Sequence, residues 1–102
     1  MDRKEVARRV FVSLWNANTS NNGRAIRVSI EEVVKDINKN SSTTFTLEQI
    51  EDAIENDPFR QSDYLGRETN VGMFETGHTN GKLTSVVLPQ FTYENHRQWG
   101  VE

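Results

Sequence analysis

Apolar residues recur at helical spacing three times before position 58, and after it the period changes to that of strands. Val6, Ala7, Val10, Phe11, Leu14 and Trp15 fall on one face of a helix spanning 2–16. Ile30, Val33, Val34 and Ile37 do the same over 29–39, as do Leu47, Ile50, Ala53 and Ile54 over 46–57. Each stripe opens on a capping-box pair: Asp2 with Glu5, Ser29 with Glu32, and Thr46 with Gln49. In such a box one side-chain oxygen accepts from an orphan helix amide, while the residue three along reaches back. Met1 with Val6, Val28 with Val33 and Phe45 with Ile50 are placed as hydrophobic staples. One box alone is a weak signal, but three in register with three apolar stripes predict three helices. Polar stretches at 16–23 and 38–44 separate them, and Pro58 closes the third. Between the first two helices, Ala25-Ile26-Arg27-Val28 alternates as a short strand should.

In the second half, Asn80-Gly81 marks a two-residue type I′ hairpin turn between strands at 71–79 and 82–88. Counting outward pairs Thr79 with Lys82, His78 with Leu83, Glu75 with Val86 and Phe74 with Val87. Gly77, near the tip, permits a bulge or a strong twist. Beyond Pro89 runs a tail, 90–102, with Phe91, Tyr93 and Trp99. Those rings are expected either to pack back on the domain or to bury themselves in a second copy as a homodimer.

At 102 residues the chain reads as one domain, with core and wing over 1–89 and the aromatic tail after it. There is no cysteine, which removes disulfides and thiolate zinc sites. No apolar run reaches the roughly 18 residues of a membrane span, and no signal peptide precedes the first helix. A cytoplasmic protein is the expectation, with the N-x-S sequons at Asn18 and Asn40 coincidental. His78 and His96 stand 18 apart without a metal-binding spacing, and no nucleotide-binding loop or nucleophile elbow occurs. The expectation is no enzyme, no metal and no cofactor.

Charge changes the picture more than composition does. The net charge of −3 hides a split: residues 1–28 carry six basic groups against two acidic, and 29–63 carry three against nine. The third helix, read over 47–57, holds five carboxylates (Glu48, Glu51, Asp52, Glu55 and Asp57) and no basic residue. A carboxylate and a phosphate about 4 Å apart repel by roughly 1 kcal/mol even in water.

Helix, short strand, helix, helix and long hairpin, carried by 2–16, 26–28, 29–39, 46–57 and the Asn80-Gly81 turn, resembles the winged-helix family. That resemblance implies an α+β winged helix-turn-helix: a three-helix core, a short strand and a two-stranded β-hairpin wing. It also implies a DNA-binding accessory or regulatory protein, such as a transcription regulator or a plasmid or phage DNA-processing factor. The family often seats its third helix in the major groove, and the acidic third helix here argues against that docking. The 40–45 connection is also longer than the compact turn between such helices. Contact with double-stranded DNA is therefore expected from the basic N-terminal region and the wing, through Arg24, Arg27, Arg67, His78, Thr79, Asn80 and Lys82. The alternative is a protein-interaction domain whose acidic helix docks a basic protein partner.

Overall fold

In the computed structural model, which describes residues 2–39, 41–58 and 73–94, the chain is α+β. Its elements run α1 Arg3–Ser20, β1 Arg27–Ser29, α2 Ile30–Lys39, α3 Leu47–Glu55, β2 Glu75–Thr79, β3 Lys82–Val87 and α4 Gln90–Glu94. The three strands form one antiparallel sheet in the order β1-β3-β2.

The helix starts follow the local chemistry read from the sequence fully at α3, and at α1 and α2 by one hydrogen bond each and not a reciprocal box. Thr46 and Gln49 form the complete reciprocal box, with Gln49 N–H donating to Thr46 Oγ1 and Thr46 N–H to Gln49 Oε1. Asp2 caps α1 by accepting from Lys4 N–H, and Ser29 Oγ accepts from Glu32 N–H at 3.3 Å. The connection from α2 to α3 is fixed by Asn38, whose amide oxygen and nitrogen bond Phe45 N–H and C=O at 2.7 and 2.9 Å. That pairing gives an irregular backbone a strand-like partner and delivers Phe45, 2 % exposed, into the core.

Val6, Val10, Leu14, Val33 and Ile50 are buried where α1 packs on α2 and α3, and Leu83, Val86 and Leu88 close the core from the sheet. Each such aliphatic side chain stabilises the fold by about 1.5–3 kcal/mol when fully buried.

Four details differ from the sequence expectation. First, α1 runs on to Ser20, one full turn past Asn16, because Asn18 is itself a core residue. Its Nδ2 donates to Leu88 C=O at 3.0 Å and its Oδ1 accepts from Ile26 N–H at 3.2 Å. A fully buried Asn18 leaves its sequon without function in the folded chain. Second, α3 ends at Glu55, before Pro58, with Asn56 N–H closing on Asp52 C=O.

Third, the hairpin register slips. Thr79↔Lys82 and His78↔Leu83 pair as expected, but Glu75 lies opposite Val87 and not Val86. A bulge at Thr84 causes this, between Gly77 and His78 of the facing strand. Residues three apart on a regular strand face opposite ways. The bulge lets Leu83 and Val86, both buried, enter the same core.

Fourth, the tail begins with a short helix, from which Tyr93 packs back as one of the two expected outcomes had it while Phe91 stays exposed. Tyr93 stacks on Trp15 with ring centroids 4.3 Å apart, and its hydroxyl meets Thr19 Oγ1 at 2.9 Å. Gln90 ties down the α1–β1 corner, accepting from Ala25 N–H and donating to Gly23 C=O. Trp99 lies outside the described residues. No described helix is long and apolar enough to cross a membrane.

Candidate nucleic-acid interface

Strand pairing decides which of the sequence-selected residues share a surface, because directly paired residues project to the same side of a sheet. Val28, Val86 and Thr76 form one row on the inner side, facing the helices. Arg27, Val87 and Glu75 form a row on the outer side, and Ser29, Ser85 and Gly77 the next. Since Leu83 points inward, alternation turns Lys82 and its partner Thr79 outward. Arg27, Thr79 and Lys82 are thus exposed on one side of the sheet that leads to the hairpin tip, although Val87 in the same outer row is buried.

The tip itself is the turn that the sequence promised. Asn80 and Gly81 have φ of 53° and 77°, the paired left-handed conformations of a type I′ turn. Asparagine tolerates this region and glycine adopts it freely, so the two exposed residues hold a tight and well-defined end. Thr84 Oγ1, in the bulge, donates to Gly77 C=O at 3.2 Å.

Arg27 is the most ordered cation on this face. Its Nη1 donates to Ser85 Oγ at 2.9 Å, so the side chain crosses from the edge strand over the central one. Glu75 is the carboxylate of the same outer row, and no ion pair joins it to Arg27. Arg24 is exposed in the turn after α1, where its carbonyl accepts from Asn21 Nδ2. Arg67 lies outside the described residues. His78 does not join the outer face: paired with Leu83, it turns toward α3, and its Nε2 sits 3.0 Å from both carboxylate oxygens of Glu55.

That contact bears on the acidic helix. Of the five carboxylates over 47–57, four on α3 and Asp57 just beyond it, three are engaged inside the fold. Glu55 holds His78. Asp52 takes a two-pronged contact from Arg3, Nε to Oδ2 at 2.8 Å and Nη2 to Oδ1 at 3.1 Å. Buried Asp57 accepts from Met73 N–H, joining the chain on either side of 59–72. The Arg3 guanidinium holds the Asp52 carboxyl below the usual carboxylate range, mainly through those hydrogen bonds, with Asn56 Nδ2 adding another. Glu48 and Glu51 remain without a partner among the described residues.

No family model matches the chain, and neither does any curated protein or solved structure. One open groove of about 420 Å³ lies between α1 and α2, lined by Glu5, Arg8, Arg9, Val12, Asp36 and Ile37 among others. Its charges are of both signs and nothing converges on a reacting centre. Among the described residues, no three His, Asp or Glu side chains gather to hold a metal ion. On the outer side of the sheet, Arg27 and Lys82 are exposed and, among the described residues, neither forms an ion pair. Sequence reasoning missed Ser85, which anchors Arg27; a serine in a strand carries no signal of that role until the register is known.

Proposed function

We propose that this chain is a non-enzymatic winged-helix protein that binds duplex DNA through the outer face and tip of its hairpin, not by seating α3 in the major groove. The order of elements supports the winged-helix reading, with the β2–β3 hairpin as wing and α3 as the third helix. The observation that carries the DNA reading is the charge arrangement of the wing. Arg27 and Lys82 stand exposed on one side of the sheet with no ion-pair partner among the described residues, next to Thr79 and the Asn80-Gly81 tip. Cations, hydroxyls and backbone amides at a turn are the groups that contact phosphates, and such contacts fix a protein on the duplex without reading its sequence. Arg24 extends the same basic region from the adjacent corner. A regulatory or DNA-processing role fits a small module of this kind.

The competing reading, an acidic α3 docked on a basic protein, is weakened because Asp52, Glu55 and Asp57 are engaged within the chain. Only Glu48 and Glu51 remain to attract a partner.

The test is duplex binding followed across salt concentration. Each phosphate contact contributes about 0.9 to the slope of log affinity against log salt. Replacing Arg27 and Lys82 together by alanine should flatten that slope by nearly two units, equally on specific and random duplexes. A wild-type chain that fails to bind any duplex at about 50 mM salt, where phosphate contacts are strong, would overturn the proposal in favour of a protein partner.

A further inference from the structure

Arginine has a side-on edge, Nε with Nη2, that matches the two oxygens of a carboxylate or a phosphate. Arg3 uses that edge on Asp52. Arg27 is held from its other nitrogen: Nη1 bonds Ser85 Oγ, and among the described residues no acceptor meets its Nε/Nη2 edge. The guanidinium ends above Gly77 of β2. A Cβ built on Gly77 would lie 2.8 Å from Arg27 Nη1 and 2.4 Å from Ser85 Oγ, closer than such atoms approach. Gly77 is not among the residues of positive φ, so its backbone does not demand glycine. What the missing side chain provides is room for the arginine.

We propose that Ser85 and Gly77 are positioning residues for Arg27. Together they hold the guanidinium flat across the wing, so that its Nε/Nη2 edge takes both non-bridging oxygens of a single backbone phosphodiester. The inference rests on the DNA reading above and deepens it by naming the ligand group and the atoms that meet it. An arginine already fixed at one nitrogen loses little freedom when the phosphate arrives, which is the gain from preorganisation. Lysine, a point charge on a flexible stem, keeps the attraction but lacks the fork.

The atoms that a Gly77 methyl group would strike are the far ends of two side chains that can swing away. Gly77→Ala should therefore fold and melt like the wild type, or slightly higher, since alanine loses less backbone entropy than glycine in a strand. It should nevertheless displace Arg27.

The experiment is a double-mutant cycle of Gly77→Ala and Arg27→Ala, titrated with a random-sequence duplex. Arg27→Ala should weaken binding about tenfold, as loss of a charged hydrogen-bonded contact does. Gly77→Ala should lose most of the same factor, and adding it to Arg27→Ala should cost nothing more. Arg27→Lys should keep the salt slope of the wild type while binding several-fold more weakly. Ser85→Ala serves as a second route to the same displacement should Gly77→Ala disturb the hairpin. Nitrogen-detected NMR of the Arg27 guanidinium, without DNA, should show hindered Nη1 rotation in the wild type that is lost in Gly77→Ala and Ser85→Ala. Wild-type binding with independent, multiplying losses would overturn the positioning role and leave the DNA reading intact. An unhindered Arg27 in the wild type would overturn the tether itself. A wild type that binds no duplex would remove the DNA reading, and the phosphodiester assignment with it.

Discussion

The helical side of this molecule and the outer face of its sheet treat charge in opposite ways. On the helical side, three carboxylates of 47–57 are answered inside the fold: Asp52 by Arg3, Glu55 by the His78 ring and Asp57 by the Met73 amide. On the outer face, Arg27 is steadied by a neutral hydroxyl and Lys82 stands in solvent. A charge with its counter-ion in place contributes to structure and is poorly available to a ligand. A charge that lacks one contributes little to stability and draws an anion from outside. The difference separates residues whose loss should show in melting from those whose loss should show in binding.

The largest effect belongs to the buried side. Replacing Asn18 by alanine strips partners from the Leu88 carbonyl and the Ile26 amide and leaves a hole. Orphaning buried polar groups costs about 1–3 kcal/mol each, so a loss of about 2–4 kcal/mol is expected. Chemical denaturation should show it, and the molecules still folded should bind duplex as the wild type does. A melting temperature within about 3 °C of the wild type, less than one kcal/mol for a domain of this size, would break the comparison.

A smaller loss, about 1–2 kcal/mol, is expected when Tyr93 is replaced by alanine, from the lost Trp15 stack and the area it covers. This variant should stay the same hydrodynamic size. A change of size would place the tail in a second copy and redraw the boundary of the buried side.

The smallest effect concerns Asp52, which is about half exposed in its contact with Arg3. Its folded-state carboxyl titrates below the ordinary value of about 3.9. The stability it contributes is therefore fully present above that value and is lost as pH falls through the lower folded one. Asp52→Asn should lower stability slightly at neutral pH and remove the matching part of the acid-induced loss below about pH 4. An acid limb identical to the wild type would show that the Arg3 clamp contributes nothing.

The same division explains what could be read from the sequence. Helix starts and the hairpin tip are local events, settled by residues within four positions of each other, as at Thr46/Gln49 and Asn80-Gly81. The outer hairpin register is not local. It depends on whether Leu83 and Val86 are both needed in the core, and their odd spacing was the available sign of a bulge. The tail helix and the last turn of α1 depend on contacts between ends of the chain, Tyr93 with Trp15 and Asn18 with Leu88. On the candidate site, Arg27 and Lys82 were legible as cations beside the wing. That His78 leaves that face, and that Ser85 and Gly77 shape it, follows only once pairing sets each residue's side.

Asn18 also imposes an order in time. Its amide meets the Leu88 carbonyl across 70 positions of chain. A ribosome adding about 5–20 residues per second needs roughly 4 to 14 s to make that stretch. Throughout that interval the first helix is complete as a segment, yet the Asn18 Nδ2 group near its end lacks the Leu88 carbonyl it meets in the fold. The domain is sealed by the residue that follows its final strand, so a chain released early carries an open seam at its oldest end.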